Sequence, residues 1–189
     1  MGLADNIAKL QPPSWKRRPE ALLQNNPVKP LHRVVPRTIL GSVWWDEIRQ
    51  AAYSATDFHC IACGVPKRLA KYHQWLEGHE VYSINYRAGR MTYVETVALC
   101  HCCHNFIHDG RLRAILDKNE IEQEKYDAIM AHGRLVLKEA NLVKPPPYMG
   151  PMARWEKWRL VLFGKEYPPV FANYEAWLAG HGYSKGEDE

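Results

Sequence analysis

Cys60-Ile61-Ala62-Cys63-Gly64 and Cys100-His101-Cys102-Cys103-His104-Asn105-Phe106-Ile107-His108 are the stretches whose reading decides this fold. Each holds a Cys-x-x-Cys pair, the spacing at which one tight turn aims two sulfurs at a common point. Gly64 lets the first turn close with its backbone N–H groups facing the sulfurs. Two such turns supply the four ligands of a tetrahedral zinc ion, so Cys60, Cys63, Cys100 and Cys103 are expected to hold a structural zinc. Four buried thiols without metal would need both spacings to arise by chance. All five cysteines lie between residues 60 and 103. An odd number with no sign of secretion argues against a disulfide framework. A thioredoxin-like redox pair fits two matched turns less well than zinc does. Cys102 is left as a spare thiol, and His101 is expected on the surface.

Thirty-six residues separate the two pairs, room for a hairpin. Residues 72–86 are rich in aromatic and β-branched side chains and predict two short strands, the second near 80–86. A loop at 87–90 follows, and 92–99 leads into the second pair. Residues 103–108 should begin a short helix. A zinc held between a first turn and a second that opens a helix is a treble-clef arrangement, so the expected fold class is α+β.

Four segments are expected. Residues 1–41 form a basic arm containing six of the thirteen prolines, extended over the body with a helical turn near 20–24. Residues 42–118 form the zinc-bound core, opened by a helix over 43–53 with Ser42 as its cap. Residues 119–144 are a helical extension, with Asn119 as cap, Glu122 three residues on, an apolar stripe of Ile121, Ile129, Leu135 and Leu142, and a kink at Gly133. Residues 145–189 form a Trp- and Tyr-rich tail packed on the core. There Trp155, Trp158 and Leu162 recur at helical spacing, a second helix covers 171–178, and the acidic end at 186–189 frays.

Composition sets the outer limits. Hydrophobic residues at 46% and charged residues at 24% of 189 exclude global disorder. No apolar run approaches the roughly 18 residues of a membrane span, and Met1–Pro13 lacks the apolar stretch of a secretory signal. A soluble, cytoplasmic protein is therefore expected. The net charge is +4, but residues 1–40 alone carry seven Lys and Arg against Asp5 and Glu20, while the remainder is nearly balanced. A basic arm on a neutral body suits a polyanion through phosphate neutralisation, although a solvated leader would look the same.

The histidines form a second constellation. His104 and His108 are four apart on the expected helix and share one face, and His79 stands on the hairpin that can fold back over it. Three convergent imidazoles would hold a divalent ion with positions left open for water and phosphate. The plainer alternative is that each packs in the core or against the zinc site.

Together these residues resemble the HNH endonucleases of the ββα-metal, treble-clef type. The pattern of that family runs C-x-x-C, then L-E-x-H-H, then N-L-x-x-L-C-x-x-C-H-x-x-x-H. Here the matching residues are Cys60 to Cys63, Leu76-Glu77-Gly78-His79-Glu80, and Glu95 through Leu99, Cys100 and Cys103 to His104 and His108. The match covers about residues 58–110. The resemblance implies a zinc-stabilised ββα-metal core with added helices and a basic N-terminal arm. It also implies metal-dependent hydrolysis of phosphodiester bonds, in DNA more than RNA, with His79, His104 and His108 as ligands of a second ion such as Mg²⁺, Mn²⁺ or Ni²⁺. Glu80 stands where the family has its general base, a histidine, and Glu95 where it has asparagine. A carboxylate is the weaker base near pH 7. A one-residue slip would make His79 the base and put Gly78 at the first ligand position, which cannot bind metal. Arg17, Arg18, Arg87 and Arg90 are the expected phosphate contacts. Family members of this size are common in phages and mobile elements. The alternative is a catalytically inactive zinc module that binds nucleic acid, or a protein partner through the aromatic tail.

Overall fold

A computed structural model describes residues 15–181; the arm before residue 15 and the acidic end at 186–189 lie outside the described residues. The fold is α+β, with five helices and one four-stranded sheet among the described residues. Helix α1 spans Pro36–Ala55, strands β1 and β2 span Glu77–Asn85 and Arg90–Leu99, and helix α2 spans His101–Ile107. Helices α3 (Asp109–Asp117) and α4 (Gln123–Glu139) follow, then β3 (Arg159–Leu162), β4 (Lys165–Tyr167) and α5 (Tyr174–Gly180). The strand order is β1-β2-β3-β4. Only four residues join β1 to β2, a length that permits an antiparallel hairpin and no crossover. No helix among the described residues is long and apolar enough to cross a membrane.

The chain divides into two compact units. Among the described residues, one comprises 15–23, Arg49–His79 and Val97–Val143; the other comprises Gln24–Ile48, Glu80–Thr96 and 144–181. The second unit is built on a cluster of Val28, Leu31, Val34, Tyr82, Met91, Trp158 and Leu160. In it β3 pairs parallel to β2, Met91 opposite Leu160, and β4 returns antiparallel. Trp155, Trp158 and Leu162 thus belong to a short 3-10 turn and a β-hairpin, not to the expected helix. Phe163 and Gly164, both at positive φ, close that hairpin as a two-residue type I′ turn requires. Helical spacing of three apolar residues did not outweigh this turn chemistry and the alternation of Leu160 and Leu162.

Other boundaries shift for identifiable reasons. Helix α1 begins seven residues before the expected 43, with Pro36 at its first position, where a missing N–H leaves no bond unmade. It breaks at Gly41 (φ 86°, ψ 175°), directly before the expected cap Ser42. Of the two strands expected within 72–86 only the second forms, as β1 from Glu77, and the chain after the loop forms β2. Asn119 does not cap α4, which starts at Gln123 after Glu122. It adopts φ 55° and donates its N–H to the Leu116 carbonyl, ending α3 instead.

The first unit places α4 against α2. The buried face of α4 carries Ile129, Gly133, Val136 and Leu137, while Leu135, expected inside, is half exposed. Gly133 does not interrupt the helix. A Cβ there would fall within the Phe106 ring of α2, so glycine is what lets the two helices approach this closely. Phe106 is itself buried. Gly133→Ala is expected to cost about 1–3 kcal/mol, the range for overpacking a tight core, read from the urea midpoint. Combining it with Phe106→Leu should recover part of that loss, and additive losses would refute the proposed contact.

In the second unit, His32 accepts a hydrogen bond at Nδ1 from Trp177 Nε1 (3.0 Å) and its Nε2 faces the Pro27 carbonyl (3.3 Å). Burial lowers its pKa, with the charges of His181 and Lys29 acting in the same direction against the Pro27 bond. The neutral ring is therefore favoured by folding. This contribution to stability is complete above the ordinary value of 6.5 and fades as pH falls through the lowered one. An NMR titration should place the His32 transition below 6.5, and Trp177→Phe should raise it.

Candidate metal centres

The first cysteine pair sits in a turn closed by Gly64 N–H to the Cys60 carbonyl (2.8 Å) and Cys60 N–H to the Val65 carbonyl (2.9 Å). Gly64 has φ 78°, in the left-handed region that glycine adopts without strain. The Arg17 side chain packs over this glycine and donates Nε–H to the Ala62 carbonyl at 3.3 Å. Arg18 N–H bonds the Ile61 carbonyl (2.7 Å), and Ile61 N–H bonds the Ala98 carbonyl (2.9 Å). That last bond ties the turn to the end of β2, two residues before Cys100. Cys100 then caps α2 with extended backbone, and Cys103 lies in the first turn of that helix.

The four sulfurs lie within 4.8 Å of one another. Cys63 Sγ and Cys100 Sγ are 3.7 Å apart. Sulfurs at tetrahedral positions about 2.3 Å from zinc are separated by about 3.8 Å, so the donors and their spacing fit that ion. Hydrogen bonds within the group hold the Cys63 thiol well below its ordinary range and push Cys100 and Cys103 above theirs, so without an ion the four sulfurs share protons among themselves. His132 of α4 brings Nε2 to 3.4 Å from Cys103 Sγ. Hydrogen bonding to the thiolates raises this imidazole above its ordinary value, against the effect of burial. Cys102 is buried outside the cluster, its thiol pushed up to about 11 by burial.

The ligand atoms of His79, His104 and His108 also come within 4.8 Å of one another. Ring centroids are 5.4 Å apart for His79 and His104, 5.0 Å for His79 and His108, and 4.7 Å for His104 and His108. His79 is buried on β1, His104 lies in the last turn of α2, and His108 follows that helix. Glu77, two residues before His79 and on the same strand face, brings Oε2 to 2.7 Å from His104 Nδ1. Its Oε1 meets His101 Nδ1 at 2.8 Å. Burial would raise the Glu77 carboxyl, but the two imidazoles outweigh it and hold the group well below the usual carboxylate range.

His101 is therefore not a surface residue: only 15% of its side chain is exposed, and buried Asn105 donates to its backbone carbonyl at 2.9 Å. Glu77 and His101 carried no role in the sequence reading. The alternation that pairs residue 77 with 79, and the helical spacing of 101 and 104, were signals available for both. Glu80 alternates to the opposite strand face from His79 and lies beside Tyr82. Burial first, then that carboxylate, raises the Tyr82 phenol. Glu95 stands near Tyr93. Of the four arginines expected at phosphates, Arg17 covers the cysteine turn, Arg90 pairs with Glu166 at 3.1 Å, Arg18 is half-buried and Arg87 is exposed.

No protein-family model, curated protein or solved structure matches this chain. The purified protein should carry one zinc per chain at the four cysteines. Structural zinc contributes roughly 10–16 kcal/mol of apparent binding energy to folding in small domains. Chelation or Cys100→Ser should accordingly abolish zinc content and a large part of the helical circular dichroism. Full helicity without zinc would contradict a structural role.

Proposed function

We propose that this chain is a metal-dependent endonuclease of HNH type, hydrolysing phosphodiester bonds in DNA in preference to RNA. The observation that carries the reading is the convergence of His79 on β1 with His104 in α2 and His108 just after that helix. The cysteine turn, hairpin and following helix are read as a treble clef around zinc.

In this reading the three imidazoles hold a divalent ion, which when bound supplies Lewis-acid polarisation of the phosphate and stabilises charge on the leaving oxygen. Glu77 fixes the ring of His104 through Nδ1, which leaves Nε2 for the ion. Burial of His79 removes its conformational freedom before any ligand arrives. Exposed Arg87 and the basic residues of the arm neutralise neighbouring phosphates and position the duplex.

A second reading, a non-catalytic zinc module that binds nucleic acid or a protein partner, is favoured by one observation. Glu80, at the position of the general base, shares a strand face with Tyr82 rather than with His79. Plasmid nicking with Mg²⁺, Mn²⁺ or Ni²⁺ separates the two. The nuclease reading expects nicking by the wild type, loss to background in His79→Ala and His104→Ala, and a reduction of about 10–100-fold in Glu77→Gln. Nicking unchanged in both alanine variants would remove this site from the reaction. An inactive wild type that binds DNA with a steep salt dependence would favour the module.

A further inference from the structure

The first unit contains a cavity of about 310 Å³ whose wall includes His73, Glu77, His101 and Asn105, with Arg111 and Lys125 also lining it. Its apolar part is made by Trp75, Leu112, Ile115 and Ile121. One ligand atom from each of His73, Glu77 and His101 lies within 4.8 Å of the other two. None of the three belongs to the cysteine cluster, and none is a ligand in the nuclease reading.

Backbone and ring contacts hold this trio in place. Tyr72, immediately before His73, has φ 71°, which is rare for a bulky side chain. The His73 ring stacks on Trp75 (4.1 Å, 13°) and meets His101 edge-on (4.3 Å, 85°). His101 is oriented in turn by Glu77 and Asn105. Two imidazoles and one carboxylate grouped beside an open cavity match the two-histidine, one-carboxylate arrangement that binds divalent metals with coordination positions free.

His101 Nδ1 and Glu77 Oε1 are 2.8 Å apart, a hydrogen bond in the ion-free protein. Entry of an ion ligated by both atoms displaces the proton between them.

We infer that His73, Glu77 and His101 form a further binding site for a divalent cation, with an anionic co-ligand completing its coordination inside the cavity. Arg111 and Lys125 motivate the second part of the inference. Two positive side chains weaken a bare cation but favour one whose open positions carry a phosphate or carboxylate oxygen. Lys125 is held over the Tyr72 ring at 4.9 Å, which fixes its charge at the edge of the trio. Glu77 would then serve two centres, ligating here through Oε1 and orienting His104 through Oε2. This site does not depend on the nuclease reading.

The test is Mn²⁺ binding to the zinc-loaded full chain, followed by loss of the free-ion electron paramagnetic resonance signal, with and without inorganic phosphate. Mn²⁺ is hard and lies low in the affinity order, so it leaves zinc at the thiolates undisturbed. His73→Ala should bind one Mn²⁺ fewer than wild type while keeping its zinc and circular dichroism. His108→Ala should retain the ion that His73→Ala loses. Phosphate should tighten that ion by about tenfold, and Lys125→Ala should cancel the gain. A wild type that binds no Mn²⁺ under either condition, or an isotherm that His73→Ala leaves unchanged, overturns the inference. Loss of the other ion alone, or absence of nicking, bears only on the nuclease reading.

Discussion

Four sulfurs gathered at the junction of a turn and a helix are the constraint on which the first unit depends. The Cys60–Cys63 turn is short and bonded to itself, so it cannot reach Cys100 by flexing. It reaches because the Ile61 amide pairs with Ala98 at the end of β2, which delivers Cys100 and Cys103 to the same point. An ion held by all four sulfurs would make this arrangement cooperative, since thiolates this close repel one another without one. Helix α2, only seven residues long, would be marginal alone. It is fixed by its two cysteines at one end and by the contact between Phe106 and Gly133 on its flank.

The histidines inherit their positions from that arrangement. His104 is one residue beyond Cys103, so its direction is set by the same turn that aims the sulfur. His79 comes from β1, whose neighbour β2 ends at the cysteine cluster. Glu77 connects the imidazoles of α2 to that strand, with one oxygen on His101 and the other on His104. A single half-buried carboxylate thereby meets two rings of one short helix. The same side chain lines the cavity beside His101.

The parts legible in the sequence were those governed by local spacing. Two Cys-x-x-Cys turns, a helix at the second of them and the shared face of His104 and His108 all follow from distances of two to four residues. What was not legible required partners distant in the chain. Gly133 reads as a kink until Phe106 is known to fill its place. Trp155, Trp158 and Leu162 read as one helical face until β2 offers β3 a parallel edge, with Met91 opposite Leu160. His101 reads as exposed because nothing nearby announces Glu77, twenty-four residues earlier, as its partner. Asn119 has the composition of a cap for the following helix, yet at φ 55° its backbone N–H closes the end of the preceding one on Leu116. The basic arm was legible as charge, but Arg17 serves the cysteine turn.

X-ray absorption at the zinc edge of the purified chain tests the central claim most directly. The account predicts a first shell of four sulfurs at about 2.3 Å with no nitrogen or oxygen among them. A shell of mixed sulfur and nitrogen would place zinc on His132 or another imidazole and contradict it. A sample with intact secondary structure and no zinc edge at all would remove the constraint from which the rest of the site is derived.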